Sequence, residues 1–128
     1  MGEPRRTDLT VQREKVLLVG VVLPGWTGDP MDPLGELRSL ARTAGAVVVD
    51  EVLARRDRPH PGLYVGTGKA EQIAARAEQN GADTVVFDND LSPAQIRELE
   101  EITGRKVLDR SELILDIFAA HARTAESR

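Results

Sequence analysis

From residue 15 onward the sequence alternates between short β-branched runs and longer segments of helical period, and each switch carries turn or cap residues. Few folds tolerate such an order. Strands that alternate with helices pair in parallel, through right-handed crossovers that lay the helices on both faces of one sheet. The first run, residues 15–23, is apolar at consecutive positions from Val16 to Val19 and again from Val21 to Leu23, as a strand covered on both faces must be. It therefore belongs at the centre. The expected fold is α/β, a three-layer, four-stranded, mainly parallel sheet in the order 2-1-3-4. Its topological switch lies between strands one and three, where loops at the carboxyl ends form the usual crevice.

Local signals place the remaining elements. The loop 24–31 holds Pro24, Gly25, Gly28 and Pro30, which end the first strand, and Asp32 with Pro33 reads as a cap and first turn. Leu34, Leu37, Leu40, Ala41 and Ala44 form a helical stripe that stops at Gly45. A second strand over 46–53 is followed by an exposed charged loop over 55–62, and Leu63-Tyr64-Val65 reads as a short extended piece. Gly66-Thr67-Gly68-Lys69 opens a helix carrying Ile73, Ala74 and Ala77, and Asn80-Gly81 closes it. Strand three is 84–87. Ser92-Pro93-Ala94-Gln95 fits a capping box with proline at its first position, for a helix that Gly104 stops. Strand four is 106–108, and Asp109 with Glu112 has the spacing of another cap. The last helix should bury Leu113, Ile114, Ile117, Phe118 and Ala122. It reaches Arg128 without Gly, Asn or Pro, which reads as a helix cut before its end. Residues 1–14 read as a polar, mobile lead-in, and 15–128 as the α/β domain.

Composition narrows function. The chain has 128 residues, the size of one domain, with 17 Lys plus Arg against 21 Asp plus Glu, a net charge of -4. Its overall field repels polyanions, which argues against indiscriminate nucleic-acid binding. Zero cysteines exclude disulfides and thiolate metal sites, and two histidines leave little for an imidazole cage. The longest mostly apolar run, 16–23, is far short of the ~20 residues of a membrane span. No metal site and no membrane partner is expected.

Several motifs approach known chemistry and miss it. Around Gly68-Lys69, a phosphate-binding P-loop would need glycine where Leu63 stands and a magnesium-binding hydroxyl where Ala70 stands. A dinucleotide fingerprint would need glycine in place of Glu71. What remains is either a plain helix-opening turn or an anion site built from Gly66, Thr67, Gly68 and Lys69 at a helix N-terminus. Asp88 and Asp90 at a strand end resemble the paired carboxylates of aspartyl phosphatases, but too little chain follows Ser92 to complete that machinery. A calcium loop fails at Pro93. Otherwise the two aspartates are loop acids facing a helix dipole. Trp26, in a glycine-flanked loop beside the switch point, is either a packed lid or a stacking platform. Arginine clusters at Arg5 and Arg6, at Arg55, Arg56 and Arg58, and at Arg105, Lys106 and Arg110 could touch RNA phosphates or be solvated loop charge. His60 and His121 stand in no catalytic arrangement, and no catalytic residue is assigned.

Taken in order, the stretches Tyr64-Val65-Gly66-Thr67-Gly68-Lys69, Asp88-Asn89-Asp90-Leu91-Ser92-Pro93-Ala94-Gln95 and Val107-Leu108-Asp109-Arg110-Ser111-Glu112-Leu113-Ile114 resemble the N-terminal domain of the HflX family. Leu115-Asp116-Ile117-Phe118 and Ala122-Arg123-Thr124-Ala125-Glu126 continue that pattern. The resemblance implies a cytoplasmic, ribosome-associated GTPase as parent, binding the large ribosomal subunit and linked to splitting or rescuing stalled ribosomes. It implies a helical hairpin and a P-loop GTPase domain after the last helix, with GTP and magnesium as the parent's cofactors and none for this chain, which alone should not hydrolyse GTP. It implies an accessory role: Arg55, Arg56 and Arg58 with Lys69 on ribosomal RNA, and the last helix against the hairpin. A nucleotide- or phosphate-binding domain, with weak ATPase activity at the extreme, is the alternative. That site would use Gly66, Thr67, Gly68, Lys69, Asp88, Asp90 and Trp26. A cut last helix would also allow self-association through Leu113, Ile114, Ile117 and Phe118.

Overall fold

The computed structural model describes residues 10–126, with side chains through residue 120. Four strands and four helices alternate: β1 (Lys15–Val22), α1 (Gly35–Thr43), β2 (Val47–Arg55), α2 (Thr67–Asn80), β3 (Thr84–Phe87), α3 (Pro93–Thr103), β4 (Lys106–Leu108) and α4 (Arg110–Glu126). The strands form one parallel sheet in the order β2-β1-β3-β4, so the expected α/β class and strand order hold. Alternation along β1 divides the core. Leu17, Val19 and Val21 face α2 and α3 with Ile73 and Leu99, while Val16 and Leu18 face α1 and α4 with Leu37, Ala41 and Leu113. Gly20 lies on the α1 side, where a Cβ would come within 2.6 Å of Leu34 Cδ2; its bare backbone lets the start of α1 close onto the sheet.

The edge strand β2 carries a bulge that no periodicity announces. Val16 pairs with Val48 but Leu17 pairs with Asp50, leaving Val49 as the extra residue. Val49 and Asp50 thus both turn toward α2, and Glu51 turns toward α1. Arg76 of α2 takes Asp50 in two hydrogen bonds of 2.8 and 2.6 Å, and Arg38 of α1 takes Glu51. The bulge therefore ties both helical layers to the exposed edge.

The start of α1 departs from expectation. Asp32 does not cap it and Pro33 precedes it; the N-cap is Leu34, with no side-chain bond. The Asp32 carboxylate is drawn instead to both terminal nitrogens of Arg38, at 3.0 Å each, and its carbonyl receives the Gly35 amide in a turn. Residues 63–65 are not an extended piece either. Tyr64 sits at φ +67°, where side chains are disfavoured, and exchanges backbone bonds with His60 in a tight reversal.

The lead-in expected over 1–14 fails over 10–14; residues 1–9 lie outside the described residues. Val11 is fully buried in the α1/α4 core, and its amide bonds Asp116 of α4. Lys106 holds the Thr10 carbonyl at 2.6 Å and Glu14 at 3.2 Å, and Glu14 also receives the Thr84 hydroxyl. One apolar side chain, hidden by polar neighbours in the sequence, fixes this strap. On α4 the expected stripe holds at Leu113 and, in part, at Ile117, but Phe118 is 67% exposed and the second turn presents Asp116 to the interior. Ala122 and His121 fall outside the described side chains. Among the described residues no helix is long and apolar enough to cross a membrane.

Candidate functional site

Loops after all four strands gather at the carboxyl edge of the sheet. The loop 88–92 is fixed first. Pairing of β1 with β3 ends at Val19 and Phe87, and Asn89 then takes over for a strand: its side chain receives the Val21 amide at 3.0 Å and donates to the Val21 carbonyl at 3.1 Å. Asn89 was no candidate from the sequence, because a side chain that mimics a strand leaves no local pattern. It holds the two flanking aspartates in place. Asp88 accepts from Arg110 at 2.8 Å, and Asp90 from the Ser111 hydroxyl at 2.8 Å. Arg110 also reaches Glu36 of α1 at 2.6 Å. Burial works against the Arg110 charge, but bonds to Glu36 and Asp88 outweigh it and raise its pKa. Both predicted carboxylates are thus engaged by the start of α4.

Ser92 and Gln95 form the expected capping box for α3, with bonds of 3.1 and 2.8 Å, and Gln95 also donates to the carbonyls of His60 and Pro61. Loop 88–92 and turn 60–64 therefore meet. Tyr64 completes the contact: burial raises its phenol pKa, the Asp90 charge adds to that, and a hydrogen bond with Asn89 opposes it.

Two residues beyond lies the glycine turn. Gly66 is the N-cap of α2 at φ −69° and ψ 164°, without a side-chain cap bond. Arg56 packs against it so closely that a Cβ there would lie 2.9 Å from Nη1, and Arg56 Nε bonds the Arg58 carbonyl at 2.9 Å. Thr67 and Gly68 are exposed and Lys69 half-buried. The turn opens a helix, as its sequence predicts, and brings Arg56 and Lys69 to that helix's positive end. A magnesium-nucleotide P-loop does not fit these residues, because Ala70, at the position of the metal-binding hydroxyl, is a fully buried methyl in the α2/α3 core.

The expected RNA-contact residues divide. Arg55, on the last position of β2, and Arg58 are exposed, while Arg56 is half-buried against Gly66. Among the described residues, Arg55, Arg56, Arg58 and Lys69 form no ion pair. The cluster at Arg105, Lys106 and Arg110, by contrast, is tied internally to Glu78, Glu14, and Glu36 with Asp88. Arg5 and Arg6 lie outside the described residues. Trp26 is half-buried in its loop and lies over Gly28, where a Cβ would come within 2.2 Å of the indole. Among the described residues no group of three or more His, Asp or Glu is placed to hold a metal.

Residues 31–119 match the family model described as GTP-binding GTPase N-terminal. A GTPase HflX of Lacrimispora saccharolytica is 48% identical over 124 residues, covering 94% of this chain and 28% of that protein. The GTPase HflX of Escherichia coli is 46% identical over 98 residues, covering 77% of this chain and 23% of that protein. The chain thus spans little more than a quarter of the relatives it matches. A crystal structure of SsGBP in complex with GDP shares the fold at a TM-score of 0.62, with 24% identity over 84% of this chain and 29% of that one. A match over more than half the chain, with the sheet order and capping motifs above, settles the family: the chain belongs to the GTP-binding GTPase N-terminal family, as the N-terminal domain of an HflX protein.

Proposed function

We propose that this chain is a non-catalytic accessory domain that helps an HflX-type GTPase bind the large ribosomal subunit in the cytoplasm and positions or regulates its GTPase domain during ribosome splitting or rescue. The observation that carries this is the uncompensated charge at the carboxyl edge. Arg55, Arg56, Arg58 and Lys69 stand without acidic partners among the described residues, whereas five other cations are consumed by ion pairs. In an acidic chain, unpaired cations grouped at the end of β2, in the loop after it and in the first turn of α2 supply a local phosphate-binding patch. GTP hydrolysis and magnesium belong to a P-loop domain of the parent, since position 70 here offers no hydroxyl. Replacing Arg55, Arg56 and Arg58 together by alanine should lower co-sedimentation of the chain with large ribosomal subunits about tenfold or more. Unchanged co-sedimentation would remove those arginines from the interface.

A second role, binding of a nucleotide or phosphate at Gly66, Thr67, Gly68 and Lys69, is favoured by one observation, the Arg56 guanidinium packed against Gly66. Asp88 and Asp90 add little to it, being held by Arg110 and Ser111. Nucleotide titration followed by Trp26 fluorescence should then saturate and be abolished in Lys69→Ala. A flat titration, by fluorescence and by calorimetry, rejects it.

A further inference from the structure

Among the described side chains, the longest helix has the fewest buried apolar anchors. Among the described residues, Leu113 is the one fully buried apolar side chain of α4, with Ile117 partly buried on the same core, whereas α2 buries Ala70, Ile73 and Ala77. Leu115 and Phe118 stand 64% and 67% exposed. Polar contacts hold α4 instead. Its first residue, Arg110, bridges Asp88 of the β3 loop and Glu36 of α1; Ser111 bonds Asp90. Asp109, just before it, receives the amides of Leu91 and Glu112, while Asp116 receives that of Val11. A cation at the first position of a helix opposes the dipole, so Arg110 is tolerated there because Glu36 and Asp88 neutralise it.

We infer that Arg110 is the pin of a polar latch, and that α4 undocks from the α/β body as a unit while the sheet and the other three helices remain folded. Elements with few buried apolar contacts open below the free energy of global unfolding. The latch is partly open to solvent, with the Arg110 side chain 30% and the Glu36 side chain 76% exposed, so salt and competing ions weaken it. Burial of Leu113 closes the helix; the charges decide how often it opens. Asp88 and Asp90 accordingly act as positioning residues for α4, a role independent of any ligand at the glycine turn.

Amide hydrogen exchange on the whole chain tests this, with β1 and β3 as internal references. In the wild type, residues 113–120 should exchange faster than β1 and β3. Arg110→Gln should accelerate α4 about tenfold, as loss of a charge-assisted pair does, and leave β1 and β3 within about twofold. Ser111→Ala, which keeps every charge, should have a smaller effect on the same residues. High salt should move the wild type in the direction of Arg110→Gln, and this comparison decides the matter if that variant does not fold. A single exchange rate for α4 and β1, raised equally by the substitution or unmoved in α4 by salt, overturns the latch.

Discussion

The carboxylate of Asp50 shows how single residues tie the layers together. The hydrogen bonds from Arg76 hold its pKa below the ordinary carboxylate value, against the opposing effect of burial. Its folded value lies below its unfolded one, about 3.9, so the stabilisation is complete above that pH and is lost as pH falls through the lower folded value. Asp50→Asn should therefore cost about 1 kcal/mol near neutrality, and the gap from wild type should close in urea unfolding curves taken progressively below about pH 4. Ser92→Ala should cost about 1 kcal/mol in the same assay, through loss of the α3 capping box. The second of these residues was legible in the sequence and the first was not. A capping box closes within four residues and leaves a local signature. Asp50 meets Arg76 only because a bulge at Val49 turns it toward α2, and nothing in the run of valines marks that bulge.

At the scale of elements, β3, α3 and β4 lie where their turn residues place them, since glycines at 81 and 104 adopt the left-handed φ that ends each preceding helix. Elements fixed by distant partners were harder to read. Asp32 had the look of a cap, but a competing arginine one turn into α1 took its carboxylate. The strap over 10–14 looked like solvent-exposed lead-in, since one valine among polar residues carries no period, yet Val11 is wholly buried. Val11→Ala should consequently destabilise the chain by about 2 kcal/mol in thermal or urea unfolding, a core-sized effect. An effect near zero would mean that the strap is not part of the folded core. Phe118 reverses the lesson: it was grouped with the buried stripe, but 3.6 residues per turn sets it about 140° around α4 from Leu113, off the face that Leu113, Asp116 and Ile117 turn inward.

For the molecule as a whole, the strand order and both helical layers followed from alternation alone, while the candidate site followed only in outline. The glycine turn and its lysine were visible in the sequence. The approach of Arg56 to Gly66, and the capture of Asp88 and Asp90 by Arg110 and Ser111, depend on contacts between loops from different strands. Those contacts leave Arg55, Arg56, Arg58 and Lys69 as a local cationic patch on an acidic domain, a distribution suited to oriented docking on a polyanion rather than to general attraction. The most direct measurement is co-sedimentation of this chain with purified large ribosomal subunits across a salt series. With three or four cations on phosphate, log affinity should fall linearly with log salt with a slope of roughly −2 to −4, and the triple substitution at Arg55, Arg56 and Arg58 should flatten it. Binding that ignores salt, or a chain that stays in the supernatant at low salt while the longer protein pellets, would contradict the account and place ribosome recognition outside this domain.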